Sequence, residues 1–130
     1  CWQVGIDKPI LDTAGVANEI ECIASLCNGA MATSGNYRNF RYVDGKRVAH
    51  TIDPVSGYPV QHNLLSVTVI ADDCMTADAY ATAFMVLGVD KSLELAKKTP
   101  HIEALFICSA GADSTANAIV VTPGMKKYLN

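Results

Sequence analysis

Apolar and polar positions alternate, cluster and break along this chain in a way that predicts its elements one by one. Trp2 to Ile6 reads as a short strand, and Lys8-Pro9 and Thr13-Ala14-Gly15 as loop. Glu19 to Leu26 carries Ile20, Cys22 and Ala24 at alternate positions, with Ile23 on the other side, and reads as a second strand. Asn28-Gly29 is a turn signal that predicts a hairpin with Ala30 to Ser34. Tyr37, Phe40 and Tyr42 favour strand, Asp44-Gly45 turns the chain, and Arg47 to Ile52 returns it as a second hairpin. Pro54, Gly57 and Pro59 make Asp53 to Val60 an ordered loop. Leu64 to Ala71 is the clearest strand: Leu65, Val67, Val69 and Ala71 share one face, Ser66 and Thr68 the other with Leu64 and Ile70.

The period then changes from two to 3.6. Ala77, Ala81, Phe84 and Gly88 fall at helical spacing, which predicts a helix from about Met75 to Leu87. Asp72, Asp73 and Thr76 are candidate caps and Gly88 is a natural stop. Asp90 caps a second helix, Lys91 to Lys98, which Thr99-Pro100 ends. Ile102 to Cys108 is a strand, Ser109 to Asn117 a polar loop and Ala118 to Thr122 a last strand, broken by Pro123-Gly124. Strands, a helix pair, then strands predict an α+β fold: a mostly antiparallel sheet with the helix pair on one face. No repeat, low-complexity tract or linker divides the chain, so residues 1–130 read as a single domain.

Composition narrows this reading only slightly. Half of the 130 residues are hydrophobic, enough for a chain this size to bury roughly two-thirds of its unfolded surface. A net charge of −3 without a basic stripe argues against a nucleic-acid partner. No apolar run reaches the roughly 18 residues that a membrane helix needs. The start, Cys1-Trp2-Gln3-Val4-Gly5-Ile6, has no basic n-region or cleavage site and reads like the middle of a fold. The five cysteines show no CxxC pair and no metal spacing, and read as buried free thiols.

Two stretches carry candidate chemistry. Asp78 and Thr82 are four residues apart on the predicted helix, so a carboxylate and a hydroxyl share one face. Oxygen ligands suit Mg²⁺, which keeps waters and borrows phosphate oxygens to complete its shell. Asp78 is expected in the first helical turn, where it serves the helix dipole equally well, and a helical threonine often bonds back to the carbonyl four residues earlier. His50 ends a strand and enters the Asp53-Pro54 loop, where it can face a phosphate, move a proton, or pack under the loop on backbone groups. Asp53 is expected to form an Asx-type turn. Thr33-Ser34-Gly35-Asn36 is a third candidate, as a ligand-facing turn or a plain polar one. His62 and His101 read as surface or structural residues. Ser34, His50 and Asp53 are not supported as a nucleophilic triad, since no G-x-S-x-G motif is present.

In combination, these pieces resemble the C-terminal part of the ApbE family, the FAD:protein FMN transferases. The stretches that carry the resemblance are Trp2 to Pro9, Ala32 to Arg38, Asp44 to Arg47, His50 to Pro59, Ser66 to Ala71, and Ala77-Asp78 through Thr82 to Gly88, in the family's order. The resemblance implies a T-fold-like architecture. It implies Mg²⁺-dependent cleavage of FAD, with FMN joined through a phosphoester to a Thr or Ser hydroxyl of an acceptor flavoprotein and AMP released. It assigns Asp78 and Thr82 to the metal, Ile52 to an FAD contact and His50 to the cofactor's phosphates, with a catalytic role. Where some members carry an aspartate before the metal-binding threonine, this chain has Ala81. It also implies that a preceding N-terminal half, or a second chain, completes the site. The family is often exported as a periplasmic or inner-membrane-anchored lipoprotein, which sets the expected location. The alternatives are a non-catalytic nucleotide-binding module and an FAD pyrophosphatase that yields FMN and AMP without an acceptor.

Overall fold

A computed structural model describes residues 1–10, 19–37, 40–110 and 117–130. Its strands are β1 (Trp2–Asp7), β2 (Ile20–Leu26), β3 (Ala30–Gly35), β4 (Phe40–Val43), β5 (Lys46–Ala49), β6 (Leu64–Ala71), β7 (Glu103–Ser109) and β8 (Asn117–Val121). Two helices, α1 (Cys74–Leu87) and α2 (Val89–Lys98), lie between β6 and β7, and a 3₁₀ helix, Pro123–Tyr128, follows β8. The expected loop at Thr13-Ala14-Gly15, and most of that at Ser109 to Asn117, lie outside the described residues.

The main sheet has the order β3-β6-β7-β8, with every pair antiparallel. Its centre is β6, where all eight residues are buried, so both faces of this strand are covered rather than one. The period-two rule divides the adjacent β7 between two cores. Ala104 and Phe106 meet Ala77, Ala81 and Phe84 of α1 on the helix face. Leu105 and Ile107 meet Ile6, Ala24 and Met125 on the opposite face, beneath β1, β2 and the 3₁₀ helix. The fold is therefore α+β with both helices on one face of an antiparallel sheet, as the pattern predicts.

Local signals place several elements well. Asp73 caps α1: its Oδ1 accepts from the Thr76 N–H at 2.9 Å and its Oδ2 from the Thr76 hydroxyl at 2.8 Å. These bonds hold its carboxyl below the usual aspartate range, the backbone bond contributing most. Asp44 and Gly45 both take positive φ, 50° and 73°, which is what a tight two-residue hairpin loop between β4 and β5 requires.

Four expectations need correction. The Asn28-Gly29 turn does not make a hairpin: β2 pairs with β1, and β3 pairs with β6. Residues 27–29 instead carry the chain from the outer layer to the main sheet, because Ala24 is committed to the second core and Ala32 to the helix-side one. Gly29, at φ 90°, passes so close that an added Cβ would lie 2.6 Å from the Ala71 carbonyl oxygen. Secondly, α2 begins at Val89, so Gly88 serves as the cap of both helices and Asp90 sits inside the first turn. Thirdly, Asp78 is not in the first turn of α1, which starts at Cys74 and has no acidic residue there. Capping by Asp73, further upstream, moves the helix start away from Asp78 and weakens the dipole reading of that carboxylate. Finally, the cysteines are not five buried thiols. Cys1 and Cys27, just beyond the Trp2↔Leu26 pair, form a disulfide, and Cys74 is exposed. Only Cys22 and Cys108 resemble the expected apolar thiols, and burial raises both their pKa values.

Candidate functional site

The candidate residues fall on one helix face, one strand end and one loop. Asp78 and Thr82 project from α1 and are both exposed. The neighbouring Ala77 and Ala81 are fully buried against the sheet, so the helix seats on small residues and turns its oxygen-bearing face outward. The helix packs on β3 and β6. This contact brings Ser34 of β3 to α1, with its Oγ 3.2 Å from Thr82 Oγ1.

The loop after β5 is built as the sequence predicts. Asp53 Oδ1 accepts from the Val55 N–H at 2.9 Å, the expected Asx turn. The Asp53 N–H donates to the Tyr58 carbonyl and the Gly57 N–H to the Asp53 carbonyl, while Ile52 bridges Pro59. His50 and Ile52 line an open cavity of about 610 Å³ with Arg41, Val43, Val48, Ala49 and Pro59. His50 is exposed, and Ile52 is 49% exposed despite its apolar side chain. Asp78 and Thr82 do not line that cavity. The two pairs therefore form separate parts of one region rather than a single cluster in contact.

A buried polar link joins the region. Asn36, just past β3, is 5% exposed, and its Oδ1 accepts from the Thr51 hydroxyl at 2.6 Å. Its N–H donates to the Leu65 carbonyl at 2.9 Å. Thr51 stands between His50 and Ile52, and Asn36 is two residues beyond Ser34. The end of β3 thus anchors both the helix face and the loop. The sequence marks Thr33 to Asn36 as a candidate turn, either ligand-facing or plainly polar. It does not reveal that Ser34 meets Thr82 and that Asn36 and Thr51 bond to each other beside His50 and Ile52. The one available signal was the density of short polar side chains beside a glycine.

The remaining histidines are structural or peripheral. His62 Nε2 lies 2.7 Å from the Met85 carbonyl, so that nitrogen carries the proton and donates to the last turn of α1. His101 is exposed, with Nδ1 3.6 Å from Asp72 Oδ2.

The donor set limits which metal ion could bind here. Among the described residues, no group of three or more His, Cys, Asp or Glu side chains is placed to hold one. Soft or borderline metals that need several such ligands are therefore poorly served. The Asp78 carboxylate and the Thr82 hydroxyl on a solvent-open face do fit a hard cation that draws its remaining ligands from water and phosphate.

Comparison with known proteins follows the same lines. A profile of the ApbE family matches residues 1–106. The FAD:protein FMN transferase of Haemophilus influenzae is 48% identical over 97 residues, covering 75% of this chain and 27% of that protein. The enzyme of the same name from Escherichia coli K12 is 36% identical over 128 residues, covering 98% of this chain and 34% of its own length. The crystal structure of the ApbE protein of Thermotoga maritima superposes with a TM-score of 0.78 at 32% identity, covering 99% of this chain and 38% of that one. The apo flavinyl transferase ApbE of Pseudomonas stutzeri gives 0.74 at 36% identity, covering 98% and 36%. The chain thus spans between 27% and 38% of the length of these relatives.

Proposed function

The chain belongs to the ApbE family, and on that premise we propose that it contributes part of the site of an FAD:protein FMN transferase. The reaction we assign is attack by a Thr or Ser hydroxyl of an acceptor flavoprotein on the FMN phosphorus of FAD. A new O–P bond forms, the bridging P–O bond breaks, AMP leaves with the electron pair, and the hydroxyl proton is released. The observation that best supports this reading is the oxygen-bearing face of α1, with Asp78 and Thr82 exposed and Ser34 beside Thr82.

In this reading Asp78 and Thr82 hold Mg²⁺. When bound, the ion supplies neutralising charge at phosphoryl oxygens. Thr51 and Asn36 set where the loop stands relative to β3. Ile52 contacts FAD at the cavity wall, and its exposed apolar side chain is suited to covering a ligand surface. His50, at the same cavity, donates to a phosphate oxygen or takes the acceptor's proton. The Asx turn and its cross-loop bonds fix the shape of that loop.

Because the chain spans about a third of its relatives, we propose that it is the C-terminal part of a larger ApbE-like domain. An N-terminal segment or a second chain supplies the rest of the pocket. We also propose a periplasmic or inner-membrane-anchored location, by family analogy alone.

The test uses the full-length protein with FAD, Mg²⁺ and an acceptor protein, scored by flavin fluorescence that survives denaturing electrophoresis. Transfer is expected to require Mg²⁺ and to fall at least about 100-fold in Asp78→Ala, in keeping with the loss of a charged metal ligand. Transfer at the parent rate in Asp78→Ala would refute the metal assignment. Release of FMN and AMP with no protein-bound flavin would identify a pyrophosphatase instead.

A further inference from the structure

We infer that Ser34 is a positioning residue for Thr82, turning the Thr82 hydroxyl outward so that it can ligate a hard cation. The inference rests on the metal reading above and extends it to a residue on another element.

A threonine inside a helix often donates its hydroxyl to the carbonyl four residues earlier, here that of Asp78. In that arrangement the proton is spent on the backbone and the side chain is held against its own helix. A hydroxyl that ligates a cation must direct a lone pair at it and place its proton elsewhere. Ser34 Oγ lies 3.2 Å from Thr82 Oγ1 and can accept that proton. No other side chain of the Thr33–Asn36 segment is seen in this role. Thr33 Oγ1 lies 2.8 Å from Thr68 Oγ1, within β3 and β6, and Asn36 receives the Thr51 hydroxyl. Strand geometry supports the choice: Ala32 packs with the helix-side core, and Ser34, two residues on, shares that face.

The arrangement makes a specific claim about energy. Ser34 contributes through the orientation of Thr82, not through charge. Its loss should therefore weaken cation binding as an outer partner does, by about 10-fold. The loss of Asp78 should cost more.

The experiment titrates Mn²⁺ into the full-length protein without FAD, read by the electron paramagnetic resonance of free Mn²⁺, and compares four proteins. Ser34→Ala is expected to weaken Mn²⁺ binding about 10-fold and Ser34→Thr, which keeps the hydroxyl, to restore it to within about twofold. Asp78→Ala is the reference for loss of a ligand. In turnover, Ser34→Ala should raise the metal concentration for half-maximal rate by a larger factor than it lowers the rate at saturating metal. If Ser34→Ala unfolds, Ser34→Cys replaces it, since a thiol of similar size is only a weak acceptor. Affinity unchanged in Ser34→Ala but reduced in Asp78→Ala would overturn the role of Ser34 and leave the metal site standing. Affinity unchanged in both would remove the metal reading itself, and the role of Ser34 with it. A loss in Ser34→Ala that Ser34→Thr fails to recover would mean that packing, not the hydroxyl, is what Ser34 supplies.

Discussion

Thr51→Val tests the buried link between β3 and the candidate loop. The change keeps shape and volume while removing one hydroxyl. Asn36 Oδ1, on a side chain only 5% exposed, then loses a donor now at 2.6 Å. An acceptor left unsatisfied in a buried place costs about 1–3 kcal/mol. Thr51 is half-buried, so water can partly replace it, and the low end, about 1 kcal/mol, is expected. With a urea slope of about 1–3 kcal/mol/M, the unfolding midpoint should fall by about 0.3–1 M. Asn36→Ala and the double variant complete a cycle, because Asn36 also holds other partners. A coupling of about 1 kcal/mol between the two positions is expected. His50 and Ile52 flank Thr51, so, if the proposed transfer reaction holds, the loosened loop of the full-length protein should raise the KM for FAD more than it lowers kcat. Additivity of the two changes within about 0.3 kcal/mol would refute the link. So would an unchanged KM in a variant that shows the stability loss, at least for its role in the site.

Ser66, 1% exposed, has no hydrogen-bond partner for its hydroxyl among the described residues. Ser66→Ala should therefore be neutral or stabilise by up to about 1 kcal/mol in thermal melting, and a loss of more than that would reveal a hidden partner. The Asp73 carboxyl is held low by its cap bonds, so its stabilising effect is complete above the ordinary aspartate value, about pH 3.9, and is lost as pH falls through the lower folded value. Asp73→Asn should flatten that acid limb of the stability curve, measured by helical circular dichroism between about pH 2 and 5. Alkylation under denaturing conditions should count the three free thiols Cys22, Cys74 and Cys108 before reduction and all five cysteines after it. Reduction opens a loop of 26 residues and should cost about 3 kcal/mol, read as a lower melting temperature.

Features decided within a few residues can be read directly from the chain. The unbroken β-branched run gave β6 its bounds, Leu64–Ala71. Asp73 and Gly88 bracket α1, and Asp44-Gly45 makes the tight β4–β5 turn, because a cap or a positive φ needs only its immediate neighbours. That Asp78 and Thr82 share one helix face was equally legible, since they stand four residues apart. How these pieces meet depends on burial between residues distant in the chain. Asn28-Gly29 has the chemistry of a hairpin, yet the demand to bury Ala24 in one layer and Ala32 in another sent β2 and β3 to different sheets. Ser34 and Thr82 lie 48 residues apart, and Asn36 and Thr51 lie 15 apart on opposite sides of the β4–β5 hairpin. Neither contact has a local signature, because each exists only once α1 has seated its alanines on β3 and β6 and the loop has closed over the end of β3. The candidate residues His50, Ile52, Asp78 and Thr82 were visible in the chain, but the contacts that Ser34, Asn36 and Thr51 make around them appeared only when burial had chosen which faces touch.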